Sequence, residues 1–567
     1  MPTSFKDLAD LCETLEGLRK RVSMVKIVAN FLKRLEPDEV EPAVSMILGR
    51  AFPKHSCQTL ETNWATLSEI VKRVTGADWT TFITAFSKTG DIGSAVKEVF
   101  ENRRIVRQTS LLPEKALTIT EVRQCFETIA NIAGYGSKEK RERLIENLLI
   151  SATPAEAKQL VKIIIGEMRT GFNEGLMEKT VSEAFQIPLE NIKNASMMLG
   201  DIGAAAAIAK KEGLEALSKL GFKVFRPVKL MLAQMSSSVA EALEEHGGKT
   251  AFEYKLDGVR VQIHKKDENV KIYSRRLTDA TESLPEIAEA VKKNFKAAEA
   301  ILEGEVIAVD RGNNPVPFQH LMRRFRRVHL IEDMAKTIPV KLYLFDVLYL
   351  NGESLTTLPY LKRRQILAEN AENIPLTKQI ITDNVEEAEK FLKEATNYGH
   401  EGLIAKKIDS EYTPGIRGKR WLKIKPTLEP LDLVIIAAEY GYGRRHKWLS
   451  DYYLAARDAE TGNFLTVGKT FKGLTDMEIV EMTKRLKELA VKEEHRTVHV
   501  IPRIVVEVAY NEIQKSPKYK CGMALRFARI TRIREDKTPY EADTIQRIKQ
   551  IYENQFLKKG NIRLQNM

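Results

Sequence analysis

The change in hydrophobic periodicity near residue 220 limits the fold of this chain more than any other feature of its sequence. Before that point, apolar residues recur at helical spacing. The segment Thr153 to Glu156 has the composition of a capping box, Gly171 predicts the end of the helix that follows, and a second capping box runs from Thr118 to Glu121. From about residue 250, strand-like and helix-like runs alternate, and beyond about residue 427 short β-branched strands dominate.

These patterns predict a multidomain protein, and the length of 567 residues is enough for a separate core in each of its parts. We expect an all-α N-terminal domain over residues 1–220, an α+β domain over 221–426 and a small β-barrel domain over 427–567.

The composition limits the location and the partners of the chain. No apolar run approaches the length needed to cross a bilayer, and the N-terminus lacks the basic and then apolar pattern of a secretory signal. We therefore expect a cytoplasmic location, or a nuclear one in a eukaryote, and no membrane partner. The four cysteines are too scattered for a zinc site or a disulfide framework. The net charge of +12 favours a polyanionic partner.

The stretch EYKLDGVR, from Glu253 to Arg260, predicts a nucleophile that handles nucleotides. A strand that ends at Lys255 and a turn through Asp257 and Gly258 would present the lysine at the rim of a cleft, where glycine lets backbone or phosphate approach closely. A lysine attacks only when neutral, and a nearby cation such as Arg260, or a bound metal, favours that state. Asp257 would orient the amine or help to hold the metal. A surface hairpin with a salt-bridged lysine is the alternative interpretation.

Two further pairs of charged residues fit the same chemistry. Glu303 and Glu305 alternate on a predicted strand and should face the same side, where their apolar neighbours in LEGEV require the carboxylates to have partners. A solvated strand face is the alternative. Lys423 and Lys425 alternate in WLKIKP and share a strand face suited to neutralising an α-phosphate.

The motif KLDGVR, taken with these companions, resembles the nucleotidyltransferase motif set of ATP-dependent DNA ligases, and the likeness to the archaeal and eukaryotic replicative type extends over nearly the whole chain. The resemblance implies a helical DNA-binding domain, an adenylation domain and a C-terminal OB-fold barrel. It implies a monomer that uses ATP and Mg²⁺ to seal nicked duplex DNA through a lysyl-AMP intermediate, in replication, repair and recombination.

The resemblance also implies a role for each residue that matches a family motif. Phe345 would stack on the base, although a core aromatic is the alternative, and Glu253 would accept a hydrogen bond from the adenine amino group. Glu305 would handle the ribose or the metal, and Glu401 the metal. The positions that would contact the nucleotide or its phosphates are Lys255, Arg260, Arg276, Arg417, Lys423, Lys425 and, during enzyme charging, Arg534.

The family likeness extends to contacts with DNA and with a partner protein. It implies DNA contacts for Arg169, Phe318 and the pair Arg526 and Phe527; the alternatives are helix-end electrostatics for Arg169 and a solvated helix face for the stretch around Phe318. A segment with Gln108, Leu111 and Leu112 resembles a degenerate sliding-clamp peptide, and an ordinary loop is the alternative.

Two other classes of function remain open at this point. An RNA ligase or an mRNA capping guanylyltransferase shares the KxDGxR logic, although the long helical region and the terminal REDK segment disfavour both. The second class is a non-catalytic helical DNA-binding protein. That hypothesis would have to explain why Lys255, Glu401, Lys423 and Lys425 are all present. The sequence leaves open whether ADP or NAD⁺ replaces ATP.

Overall fold

The computed structural model describes residues 2–53, 56, 58–102, 116–325, 337–415, 417–425 and 428–556 of the chain. They form two compact units: one comprises residues 1–82 and 96–425, and the other comprises residues 83–95 and 426–558. Most of the helical region thus shares one unit with the α+β region, and the division into three domains stays a prediction. None of the helices in the described ranges combines the length and apolarity needed to cross a membrane.

Helices make up the N-terminal region, as the sequence predicts. They are α1 Phe5–Gly17, α2 Arg21–Arg34, α3 Pro37–Ile47, α4 Trp64–Thr75, α5 Trp79–Thr89, α6 Ile92–Glu101, α7 Ile119–Asn131, α8 Ser137–Ser151, α9 Pro154–Ile165, α10 Glu174–Phe185, α11 Leu189–Met198 and α12 Ile202–Ser218.

Both predicted capping boxes are confirmed, at Thr118 before α7 and at Thr153 before α9. The predicted end of α9 at Gly171 is wrong. The helix ends at Ile165, because Gly166 adopts a left-handed conformation and its N–H bonds back to the carbonyls of Lys162 and Ile163.

Two five-stranded sheets form the α+β region. Their strands are β1 Leu232–Met235, β2 Thr250–Lys255, β3 Val259–Lys266, β4 Asn269–Ser274, β5 Glu299–Ala308, β6 Val340–Leu350, β7 Glu353–Ser354, β8 Gln379–Thr382, β9 Gly402–Lys407 and β10 Arg417–Ile424. The first sheet has the order β1-β10-β9-β2-β8, and the second has the order β4-β3-β5-β6-β7. The accompanying helices are α13 Val239–His246, α14 Pro285–Asn294, α15 Phe318–Phe325, α16 Tyr360–Asn370 and α17 Val385–Asn397.

The turn from Leu256 to Gly258 connects the two sheets, because β2 belongs to the first sheet and β3 to the second. Each sheet buries an apolar face: Val261, Ile263 and Leu302 lie in one core cluster, and Phe252 and Leu403 in another. Residues at the ends of β2 and β3 are therefore held on a rigid support.

The second unit is rich in short strands, as predicted. These are β11 Leu431–Tyr440, β12 Leu449–Arg457, β13 Phe464–Thr470, β14 Ala490–Glu494, β15 Thr497–Val500, β16 Val505–Ala509, β17 Glu512–Lys515, β18 Met523–Arg526 and β19 Arg529–Ile533, with helices α18 Asp476–Glu488 and α19 Ile545–Phe556. The main sheet has the order β13-β12-β11-β15-β14, and β16 joins β11 to β19. Within residues 428–556 these pairings do not close into a barrel, so the OB-fold stays a prediction.

Candidate active site

Three charged residues meet at one end of the first sheet. Lys255 is the last residue of β2, Glu401 immediately precedes β9, and Lys425 immediately follows β10. Because β9 pairs antiparallel with both neighbours, these three strand ends lie side by side. The Lys255 Nζ lies 2.9 Å from the Glu401 Oε2, and the Lys425 ammonium contacts the same oxygen.

The backbone fixes this arrangement as firmly as the ion pairs do. The N–H of Glu401 donates to the carbonyl of Lys255 at 2.9 Å. At Gly402, φ is +141°, and a Cβ atom would lie 2.2 Å from the carbonyl oxygen of Ile424. Only glycine fits between the two neighbouring strands here, so Glu401 is held where both lysines reach it.

The electrostatics of the two carboxylates at this site differ. Burial alone would raise the pKa of Glu401, but Lys255 and Lys425 outweigh it and lower that pKa to about 2. Burial raises the pKa of Glu305 to about 7, although Lys255 and Arg260 act in the opposite direction. The charges of Glu401 and Asp257 add to this rise, which places all these groups in one electrostatic environment.

Gly258 in the predicted turn is required by close packing. A Cβ atom there would lie 2.3 Å from the carbonyl oxygen of Val306 on β5. The turn therefore lies directly against the strand that carries Glu305, and Asp257 beside it is buried. The prediction that Lys255 ends a strand before this turn is confirmed.

Arg260, on β3 of the second sheet, is half-buried in a network of hydrogen bonds. Its guanidinium donates to Glu303 Oε2 at 2.6 Å and to the carbonyl of Met231 at 2.7 Å. The hydroxyl of Tyr412 donates to the other oxygen of Glu303 at 2.7 Å and accepts from the N–H of Met231 at 2.8 Å. Burial alone would lower the pKa of Arg260, but Glu303 raises it, so this cation stays charged.

Glu253 shares the lysine's strand face and is occupied by partners within the protein. Its Oε2 lies 2.8 Å from the Nζ of Lys406, and its Oε1 accepts from Tyr360 and, at 3.2 Å, from Gln379. Arg364 lies 3.6 Å from the same Oε1. Adenine recognition by Glu253 stays a prediction, and any base would meet a carboxylate that is already fixed in position.

Phe345 lies on strand β6 of the second sheet, and its side chain is buried. The Lys406 Nζ is 4.6 Å from the ring centroid and the Arg260 guanidinium carbon is 5.3 Å from it. The Trp421 ring packs edge to face against the Phe345 ring, with the two ring centroids 6.1 Å apart. The ring is therefore held by two cations and an indole.

The remaining predicted nucleotide residues occupy different places. Lys423 is half-buried on β10, in register with Ile404 of β9. Arg276 is exposed just after β4, and its N–H donates to Ser274. Arg417 begins β10, and its side chain lies outside the described part of the structure.

The predicted DNA contacts of the first unit lie outside the lysine cluster. The expected position of Arg169 in the last turn of a helix is wrong, because α9 ends at Ile165; Arg169 lies in the following loop with φ +54° and pairs with Glu167. Phe318 begins α15 and is half-buried against the core of the second sheet. The clamp-like residues Gln108, Leu111 and Leu112 lie outside the described residues.

The predicted residues of the second unit include one exposed aromatic. Phe527 lies between β18 and β19 with φ +57°, and the Arg526 guanidinium carbon is 5.1 Å from its ring centroid. Arg534 is held by Asp432, at 2.8 Å, and by Asp536, at 2.6 Å.

Sequence reasoning missed Lys406, Tyr412 and Trp421, which position the predicted residues. The lysine pair in EGLIAKK carries the one available signal, since adjacent strand residues face opposite sides and one of the two must point inward. Lys406 is indeed buried and Lys407 is more exposed.

Comparisons with known proteins cover the same regions. Three family models match in succession: DNA ligase N terminus over residues 4–181, ATP dependent DNA ligase domain over 230–425 and ATP dependent DNA ligase C terminal region over 445–537. The protein named DNA ligase 1 of Korarchaeum cryptofilum is 48% identical over 557 residues, which are 98% of this chain and 99% of that relative.

A second relative and a solved structure extend the comparison. The protein named DNA ligase of Thermococcus onnurineus is 44% identical over 554 residues, which are 97% of this chain and 98% of that relative. The solved structure titled Pmar-Lig_PreS3 is 18% identical with a TM-score of 0.57, and the match covers 93% of this chain and 99% of that one. At that identity the likeness concerns the fold alone.

Proposed function

This chain belongs to the family of ATP-dependent DNA ligases, and we propose that it carries the transferred AMP on Lys255. It is a DNA ligase that uses ATP and Mg²⁺ to seal nicks between a 3′-hydroxyl and a 5′-phosphate in duplex DNA. Work in DNA replication, repair and recombination is typical of the family.

Sealing consists of three displacements at phosphorus. The amine of Lys255 attacks the α-phosphorus of ATP, the bond to the pyrophosphate oxygen breaks, and the nitrogen loses a proton as lysyl-AMP forms. The 5′-phosphate of the nick then attacks the same phosphorus and releases the lysine, which gives a DNA-adenylate. Finally the 3′-hydroxyl attacks the 5′-phosphorus, AMP leaves, and the strand is closed.

The meeting of Lys255, Glu401 and Lys425 at one sheet end is the observation that supports this proposal. An ammonium in an ion pair is not a nucleophile until its proton leaves, so we propose that Glu401 positions the amine of Lys255. Lys425, with Lys423 two residues before it on β10, would neutralise charge on the α-phosphate. Asp257, buried within the turn, would help to orient the amine.

The acidic residues of the site fit a magnesium ion. Burial raises the pKa of Glu305 to about 7, and the neighbouring Glu401 and Asp257 add to the rise, so a divalent cation would stabilise this cluster. Among the described residues, no three or more His, Cys, Asp or Glu are grouped as a complete metal site. Mg²⁺ needs only one or two carboxylates from the protein, because water and phosphate oxygens fill the rest of its shell. Glu305 and Glu401 would hold it, and it would supply positive charge to the phosphates.

We propose that the residues of the two sheets around Lys255 receive the nucleotide. Glu253 would accept from the adenine amino group, Phe345 would stack on the base, and Glu305 would handle the ribose or the metal. Arg260 would contact the nucleotide or its phosphates. Their fixed positions support this assignment, because preorganised groups need no reordering when the nucleotide binds. Arg276 and Arg417 are proposed as further nucleotide contacts, and Arg534 is proposed to reach ATP during enzyme charging.

The remaining assignments extend the proposal to DNA and to the assembly. Arg169, Phe318, Arg526 and Phe527 would contact the nicked duplex, and an OB-fold barrel would form from residues 427–567. We also propose a monomer with domains at 1–220, 221–426 and 427–567, a cytoplasmic location and a clamp contact through residues 108–112.

The experiment is incubation of the protein with Mg²⁺ and α-labelled ATP or α-labelled GTP, followed by denaturing electrophoresis. We expect label from ATP alone, and loss of that label in Lys255→Ala. Lys266→Ala is the matched control. This lysine is half exposed on β3 of the second sheet, where it pairs with Glu299 of the neighbouring strand β5. Label from GTP would instead indicate capping chemistry, and a labelled Lys255→Ala protein would refute the assignment of the nucleophile.

A further inference from the structure

A second exposed phenylalanine lies beside Phe527 in the second unit. Phe471 follows strand β13, and both rings are 58% exposed. The Lys472 Nζ is 5.5 Å from the centroid of the Phe471 ring and 5.9 Å from that of Phe527. The two rings therefore flank one ammonium, and we name Phe471, Lys472, Arg526 and Phe527 the double-phenylalanine platform.

The two loops of the platform are joined by hydrogen bonds. The Thr470 hydroxyl donates to the carbonyl of Ala528 at 2.6 Å, and the N–H of Ile530 donates to the carbonyl of Lys472 at 3.0 Å. At Gly473, φ is +116°, and a Cβ atom would lie 1.9 Å from the carbonyl oxygen of Ile530. The loops thus pack backbone against backbone, and the rings stand on a rigid base.

The exposure of the rings has an energetic cost. Leaving more than half of two large apolar side chains in water forgoes part of the stabilisation that burial would give. Phe527 also has a φ of +57°, a left-handed backbone conformation that a bulky residue rarely adopts and that adds strain. Exposed apolar side chains on a strained and rigid support are typical of a binding surface.

The positive charges of the double-phenylalanine platform favour a polyanion as its binding partner. Lys472 is exposed, and its ammonium lies near the rings of Phe471 and Phe527. Arg526 adds a second cation beside the Phe527 ring, although it also pairs with Glu512 at 3.1 Å. Aromatic wedges flanked by Lys and Arg press into the minor groove or stack on bases, while the cations hold the phosphates.

We propose that Phe471 and Lys472 are DNA-contacting residues and act with Phe527 as a paired wedge against the nicked duplex. This inference rests on the proposed DNA contact of Phe527. Phe471 widens the apolar face from one ring to two, and Lys472 places a cation between them to meet the adjacent phosphate. The platform thereby positions the nick for the steps that follow formation of lysyl-AMP.

The test compares Phe471→Ala, Phe471→Tyr, Lys472→Ala and the control Tyr540→Ala, which removes an aromatic that is 74% exposed. Affinity is measured by fluorescence anisotropy on a nicked duplex with a dideoxy 3′ end and on the intact duplex. We expect Phe471→Ala to bind the nick about tenfold more weakly, and Phe471→Tyr to bind as the parent does. Lys472→Ala should weaken DNA binding. It should also reduce, by about one, the slope of the logarithm of the binding constant against the logarithm of the salt concentration.

Two further readouts separate recognition of DNA from folding and from the lysine chemistry. A 2-aminopurine base beside the nick should brighten when the parent binds and stay dim with Phe471→Ala, because the wedge unstacks it. Label from α-labelled ATP should be equal in all variants, since that step uses no DNA.

Unchanged affinity and unchanged 2-aminopurine signal in Phe471→Ala would overturn the proposal. Equal loss of ATP labelling and DNA binding in Phe471→Ala, with Lys472→Ala like the parent, would overturn it as well. A failure of the lysine assignment would appear separately, as label retained by Lys255→Ala.

Discussion

The carboxylate of Glu401 lies 2.9 Å from the ammonium of Lys255 and also contacts the ammonium of Lys425. One anion thus holds two cations that the sequence separates widely. Burial opposes its ionisation, yet the two lysines lower its pKa to about 2, so it is a carboxylate throughout the physiological range.

Replacement of Glu401 by glutamine should slow self-adenylation by roughly 10²-fold, because the amide neither balances the two ammonium groups nor fixes Lys255. The rate of label incorporation from α-labelled ATP measures this effect. Glu411→Gln is the matched control, since this glutamate is 55% exposed and its pair with Arg420 spans 3.6 Å. An unchanged rate in Glu401→Gln would remove the positioning role.

Lys406→Met should destabilise the first unit by about 3–5 kcal/mol, because it leaves Glu253 buried without its closest cation. Burial lowers the pKa of Lys406 while Glu253 opposes the change, so the two side chains depend on each other. Urea unfolding of the full chain measures the loss. Lys407→Met, at a neighbouring lysine that is 40% exposed, should cost less than about 1 kcal/mol. Adding Glu253→Gln to Lys406→Met should recover part of the stability.

Tyr412→Phe should cost about 1–3 kcal/mol of unfolding free energy. The variant leaves the N–H of Met231 and one oxygen of Glu303 without the hydroxyl that joins them. Since Glu303 in turn holds Arg260, we also expect a raised KM for ATP with a smaller change in kcat. Tyr398→Phe, at a tyrosine that is 58% exposed, should match the parent in both measurements.

His264 should make the first unit less stable in acid. Burial lowers the pKa of this histidine from 6.5 to about 3, and its ring accepts from the N–H of Phe225 at 2.9 Å. The unfolded chain therefore binds a proton that the folded chain does not, and stability is complete above pH 6.5 and falls as the pH drops toward 3. The slope of the unfolding free energy against pH should reach about 1.4 kcal/mol per pH unit.

Urea unfolding at pH 7.5, 6.0 and 5.0 checks this expectation. His264→Gln should be less stable at neutral pH and should show a shallower pH dependence than the parent. The control His499→Gln, at a histidine that is 49% exposed, should retain the parent slope. If His264→Gln kept the pH dependence of the parent protein, the loss of stability in acid would have to come from titratable groups other than His264.

The sequence by itself determined the elements whose signals are local. Capping chemistry located the starts of α7 and α9, and alternation located the strands that carry Lys255, Glu305 and Lys423. Local signals failed at the end of α9, where apolar spacing continues past Gly166 although the backbone leaves the helix there. Helix ends depend on a few backbone bonds that spacing does not encode.

Only the tertiary structure decided which of these residues meet. Antiparallel pairing brings Lys255, Glu401 and Lys425 to one end of the first sheet, and burial makes Lys406 the partner of Glu253. The joined loops that carry Phe471 and Phe527 likewise come from separate strands. Contacts between distant strand ends follow from sheet register and from the desolvation of charges, and both are properties of the packed chain rather than of any short segment.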